Sequence, residues 1–299
     1  VQNPASASDM FNTAVGHFAG SAVTTGTRNT LIGGLAGDAT TTGGRNVSVG
    51  YGTLSADTLG SRSVAIGDSA LATQNFTSAT QTDNVAVGYV ALNQNTTGVK
   101  NTSTGSNSLV SNTTGNYNTA NGYQALKSNT TANFNTTVGY QSGFSNTTGA
   151  SNTVMGDRAL YGNTTGSNNI AMGGEALRSN TTASNNTAIG YQSLYANTTG
   201  HNNTAVGTSS LDANITGIEN VALGSFSLSG NTTGSENVAV GQGALFANTE
   251  GNSNTAVGKS ALVANTTGES NVALGVNALD ASTTGNYNTA VGDHSLSSN

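Results

Sequence analysis

The sequence predicts an all-β chain wound as a parallel β-solenoid of about 17 coils, and three observations carry that prediction. The first is a fixed period. A Gly in one local context recurs at Gly16, Gly33, Gly50 and Gly67, and again every 17 residues from Gly88 to Gly292. The second is alternation. With that Gly numbered zero, position −3 is Thr, Val or Ile in every copy, and position −1 is aliphatic or Met in all but two. Side chains two apart share a face of a strand, whereas a helix would need a spacing of 3.6. The third is composition. The chain holds 40 Gly and repeated Asn-Thr-Thr-Gly runs, which favour turns and disfavour helices.

Taken in order, residues 1–11 read as an N-terminal lead-in and 12–71 as atypical coils. The stretch 72–83, "ATQNFTSATQTD", reads as an insertion loop, because the interval from Gly67 to Gly88 is 21 rather than 17. Residues 84–299 form the regular array. Within a coil, −4 is Asn in every copy but Ser63, and +4 is Leu in 14 copies. Two short strands and two turns fit 17 residues, and each coil is expected about 4.7–4.9 Å above the last. The −4 amides then stack as a ladder. Insertions in solenoids bulge without breaking the stack, so strand register should carry from Gly67 to Gly88. In the first two coils Gly20 and Gly37 replace the +4 Leu, while Phe18 and Leu35 stand two positions earlier, as if the bulk had moved.

Only 7% of residues are charged and the net charge is −6, so no basic surplus exists for nucleic acid. With no Cys, disulfides and thiolate metal sites are excluded. No apolar run reaches the roughly 18 residues of a membrane helix. The chain opens without Met and stops partway through a repeat, so both ends read as cuts in something longer.

Position −2 is Ala in 12 of 17 copies, among them Ala188, Ala205, Ala222, Ala239, Ala256 and Ala273. If −3 and −1 fill the coil, this column lies outside and suits close approach of another chain. A closed homotrimer is the expected solution. Thr104 and Asn121 then put polar groups into the core of two adjacent coils, as a polar plug that fixes register.

The stretches "SVAIG" (63–67), "NVAVG" (84–88) and "NTAIG" (186–190) resemble the head repeat of trimeric autotransporter adhesins of the YadA-like type. The longer unit "NTAIGYQSLYANTTG" (186–200) is similar to arrays in phage tail-fibre-like proteins and bacterial surface proteins. The resemblance implies a left-handed parallel β-roll, three chains around an axis, and an adhesive or host-binding fibre.

No catalytic set, metal-ligand spacing or cofactor motif is expected, since His17, His201 and His294 fall at unrelated repeat positions. The Asn-Thr-Thr triplets match the glycosylation acceptor pattern, but a turn and an Asn/Thr ladder explain them better. At +12, Arg28, Arg45 and Arg62 follow one another, with Lys100 later. Stacked like charges repel, so the column either pairs with carboxylates such as Asp38, Asp57 and Asp68 or contacts an anionic ligand or partner. Tyr123, Tyr140 and Tyr191 at +1 offer faces for stacking on a sugar or for covering a neighbouring coil. The leading reading is a structural and adhesive fibre segment, not an enzyme. It is extracellular, on a cell surface or virion, self-associated and facing a surface glycan or protein receptor. A self-assembling filament subunit and an ice-binding solenoid are the alternatives.

Overall fold

The computed structural model describes residues 10–297. It is an all-β parallel solenoid of about 16 turns with no helix among the described residues. The chain divides into two compact units, Val1–Ala150 and Ser151–Asn299, built on the same plan. The lead-in assigned to 1–11 lies outside the described residues except for Met10 and Phe11.

Every coil contributes one strand of three residues, positions −3 to −1. In the first unit these are β1 (Thr13–Val15), β2 (Thr30–Ile32), β3 (Val47–Val49), β5 (Val64–Ile66), β7 (Val85–Val87), β8 (Thr102–Thr104), β9 (Thr119–Asn121) and β10 (Thr136–Val138). Nine more, from Thr153–Met155 to Thr289–Val291, form the second unit. Pairing is parallel and one repeat apart, as in Thr187 with Thr204, Ala188 with Ala205 and Ile189 with Val206. The Gly at zero ends each strand. Gly207 has φ +132°, and a Cβ there would lie 2.6 Å from the carbonyl carbon of Gly224 in the next coil, so only Gly fits.

Among the described residues the second strand expected per coil does not form, except beside the insertion. Positions +2, +4 and +12 take left-handed backbone instead, as at Ser209 (φ 49°), Leu211 (φ 53°) and Glu219 (φ 58°), and three such residues bend the chain through turns. Coil-to-coil bonding nevertheless continues through them. Leu211 N donates to Ser227 O at 3.0 Å, and Ile215 N to Thr232 O at 2.9 Å.

The middle residue of each strand points inward, and this overturns the expected facing. Ala188, Ala205, Ala222, Ala239, Ala256 and Ala273 are each 0% exposed within a single chain, packed with the Leu column at +4. They are therefore not an inter-chain column. Alternation tells which residues share a face but not which face is inside. The interior is already occupied by the Leu column and two columns of Asn, which leaves room for a small side chain in most coils, with Val154 the largest where +4 is Leu. Positions −3 and −1 face outward. Consequently Thr104 is half-buried and Asn121 exposed on the outside of the sheet, and neither is a core plug.

The −4 Asn ladder is present and buried. Asn203 Oδ1 accepts the Asn220 backbone N–H at 3.0 Å, while Asn203 Nδ2 donates to Gly217 O at 2.9 Å. A second buried ladder runs along +7, the Asn of the Asn-Thr-Thr-Gly runs. Asn214 Nδ2 donates to Asn197 Oδ1 at 2.8 Å and Asn231 Nδ2 to Asn214 Oδ1 at 2.9 Å. The amide nitrogen to which a glycan would be joined is thus inside the coil at these triplets.

Strand register carries through the insertion, with Val64, Ala65 and Ile66 paired to Val85, Ala86 and Val87. The extra residues add a short second sheet, β4 (Gly60–Ser61) with β6 (Thr80–Gln81). In the N-terminal coils the missing +4 Leu is replaced differently from expectation. Phe18 is exposed, and Leu31, at an inward −2 position, fills the space left by Gly20 and Gly37.

Candidate functional site: an arginine-lined groove and an outward aliphatic face

Two outward features carry more than stacking chemistry. The first is built on position +12, where the turn holds its residue in left-handed backbone and aims the side chain away from the coil. Arg28, Arg45 and Arg62 have φ of 61°, 62° and 67°, and all three are exposed. Every +12 residue of the array shares this left-handed backbone, so what sets these three coils apart is the run of like charge.

None of the three carboxylates expected to neutralise this column does so. Asp57 is 1% exposed and faces inward, where its carboxylate accepts from Gly60 N at 2.9 Å and Gln74 Nε2 at 2.7 Å. Asp68 accepts from Ser69 Oγ at 2.7 Å. Asp38 forms no ion pair among the described residues. The partner is Asp83, whose carboxylate lies 3.9 Å from Arg62, with both side chains about two-fifths exposed. Asp83 occupies the +12 place once the insertion is discounted, because it directly precedes Asn84 as Arg62 precedes Ser63. Counting back from the following Gly, rather than forward from the preceding one, exposes it. Among the described residues Arg28 and Arg45 have no carboxylate partner.

Between Arg45 and Arg62 the insertion walls one side of an open groove of about 310 Å³, lined also by Thr27, Thr42 and Ser61. Lys100 stands apart from it, with Nζ 5.1 Å from the Tyr117 ring centre, and Tyr117 stacks on Phe134 at 5.2 Å.

The second feature is the outer face of the sheets. Position −1 presents Ile32 and Ile66 in the first unit, and Met155, Ile189, Val206, Leu223, Val257 and Leu274 in the second, all exposed by a third or more. In the first unit the column is interrupted by Thr104 and Asn121 on adjacent strands.

The tyrosines mostly cover neighbours. Tyr123 and Tyr140 stack on each other with centroids 5.5 Å apart, and the Tyr191 ring lies over Gly174 of the preceding coil. All three still expose about half their surface. Among the described residues no three of His, Cys, Asp or Glu come together. No protein-family model and no curated protein matches this chain.

Proposed function

We propose that this chain is a segment of an extracellular structural and adhesive fibre, displayed on a cell surface or virion. In this reading it is a left-handed β-roll that assembles with two further copies around an axis and presents its remaining surface to host or surface ligands. The observation that carries the reading is the outward column of Val, Ile, Leu and Met at −1. In the second unit this apolar column runs unbroken from Met155 to Val291, and such a stripe is poor solvent surface. Its spacing, one residue per coil, is met in step only by a surface with the same repeat, and a second copy of this chain has that repeat. The resemblance to trimeric adhesin heads supports three as the number. In-register assembly also gives Thr104 and Asn121 a role, since each polar pair meets its own counterpart. A slip by one coil sets Asn121 against Val138 instead. Such a mark fixes alignment as a polar residue does in a coiled-coil seam.

Sedimentation of the chain at micromolar concentration tests this. The parent should sediment as a trimer. Replacing Val206, Leu223 and Val240 by Lys should give a monomer with unchanged circular dichroism, because these side chains face outward in the single chain. A parent that is monomeric, or a triple variant that still associates, overturns the reading. Replacing Ala205, Ala222 and Ala239 by Glu would not serve, because it buries charge in the coil and unfolds it.

A further inference from the structure

We propose that the groove between Arg45 and Arg62 is a binding site for an acidic sugar unit, recognised through its sulfate or carboxylate group. The site stands apart from the fibre reading, and loss of self-association would leave it intact.

Four features converge on it. The two guanidinium groups leave adjacent coils about 4.7–4.9 Å apart, a spacing that lets one anion accept from both. Two cations rooted on neighbouring coils repel, by up to roughly 1 kcal/mol in bulk water at the coil spacing. Serine, asparagine or glutamate occupies the same place in many later coils, so the stack does not require arginine there.

The second feature is incomplete neutralisation. Arg45 has no carboxylate partner among the described residues, and Asp83 approaches Arg62 only at 3.9 Å and in solvent. Such pairs contribute about 0–1 kcal/mol, which a ligand anion can displace. The third is size and lining. About 310 Å³ suits one monosaccharide rather than a larger ligand, and the walls carry hydroxyls rather than an aromatic platform. Ser61 Oγ accepts the Gly44 N–H at 3.1 Å, which leaves its own hydrogen to donate. Charge, with hydroxyl support, is therefore the recognition available here, and a neutral sugar finds no ring to stack on.

The fourth is the insertion itself. Residues 72–83 break a spacing otherwise kept throughout, and they supply the groove wall at Ala79–Gln81 through the pairing of Thr80 and Gln81 with Gly60 and Ser61. They also end in Asp83, placed to compete with an incoming anion for Arg62.

The experiment is calorimetric titration of the full chain with a sulfated heparin-derived tetrasaccharide, a carboxylated hyaluronan-derived tetrasaccharide and inorganic sulfate, at low and at physiological salt. At least one oligosaccharide should bind, more weakly as salt rises. Arg45→Ser should weaken binding by about tenfold or more. Asp83→Asn should strengthen it by about threefold, because it removes the competitor. Lys100→Ser, in the same column but outside the groove, should leave it unchanged. The opposite sign expected for Asp83→Asn cannot come from damaged folding. No binding of either oligosaccharide, equal losses in the Arg45 and Lys100 variants, or an Asp83→Asn variant that fails to bind more tightly would overturn the site. Binding of inorganic sulfate alone would overturn its assignment to a sugar.

Discussion

Position +7 is written in two ways within the first unit. In its later coils it reads Asn95, Asn112, Asn129 and Asn146, and in its earlier ones Val23, Thr40, Asp57 and Gln74. The Asn column relays. Asn112 Nδ2 donates to Asn95 Oδ1 at 2.8 Å and to Gly115 O at 3.0 Å, while its own Oδ1 accepts from Asn129 at 2.9 Å. An amide both donates and accepts, so one residue type can repeat indefinitely. Asp57 cannot relay, because an ionised carboxylate only accepts. Gln74 bridges instead, donating to Asp57 and to Ser63 Oγ at 3.0 Å, and its Oε1 accepts from Asn84 at 2.8 Å. In the regular coils the two ladders meet at a shared carbonyl, as Asn101 and Asn112 do at Gly115 O, whereas beside the insertion Gln74 joins them side chain to side chain. Where the repeat is strict, inward residues serve only stacking. Where it lapses, the chain gains an insertion, a groove and outward arginines.

The largest expected effect breaks the relay in its regular part. Asn129 is 0% exposed, and Asn129→Ala strands Asn112 Oδ1 and takes away one acceptor of Asn146 Nδ2, while the Ala132 carbonyl keeps its bond from Asn118 Nδ2 at 2.8 Å. A loss of about 3–5 kcal/mol is expected in urea unfolding. Thr40→Val, in the irregular part, removes one bond to Asp57 O at 3.1 Å and should cost only about 1 kcal/mol. Similar losses for the two would show that the ladder carries no special stability.

Much of the fold was legible because a period needs no propensity scale. The 17-residue interval, the strand at −3 to −1 and the −4 ladder all follow from repetition. Facing was not legible. The pattern Thr-Ala-Val has an apolar reading either way round, and the deciding fact, that Leu and two Asn columns already fill the interior, is a matter of volume. The +7 ladder was hidden because Asn-Thr-Thr-Gly also spells a turn. The candidate site was half legible. Arg28, Arg45 and Arg62 stand out by position, whereas the groove depends on where the extra residues fold, and Asp83 is out of phase when counted forward.

A middle-sized effect should come from the bridge. Gln74→Leu removes the donor to Asp57 Oδ2 at 2.7 Å and the acceptor of Asn84, although Asn84 keeps its bond to Gly98 O at 2.8 Å. About 2–3 kcal/mol should be lost. Hydrogen exchange should quicken around 57–84 and stay unchanged near Asn129. A change spread evenly over the first unit would mean that the bridge is not local.

The smallest effect bears on why the column holds an acid at Asp57 when Asn serves later coils. Both carboxylate oxygens face donors, Gly60 N and Gln74 Nε2, so Asp57→Asn turns an amide toward at least one of them. About 1 kcal/mol should be lost at neutral pH. The pH dependence separates this from a simple packing change. Burial raises the Asp57 carboxyl above its ordinary 3.8, outweighing the hydrogen bonds from Gln74 and Gly60 that favour the charged form. The folded chain therefore takes up this proton at a higher pH than the unfolded chain. Between the two values the native state holds more protons, so Asp57 makes stability fall as pH rises through that window, and its contribution levels off below the unfolded value. Asn cannot titrate. The parent should thus gain stability on acidification relative to Asp57→Asn, widening its lead between neutral pH and pH about 4, while the other carboxylates cancel in the difference. A lead that stays constant or shrinks in acid would mean that Asp57 is stabilised as a carboxylate, and that its burial beside Gln74 imposes no net penalty on charge.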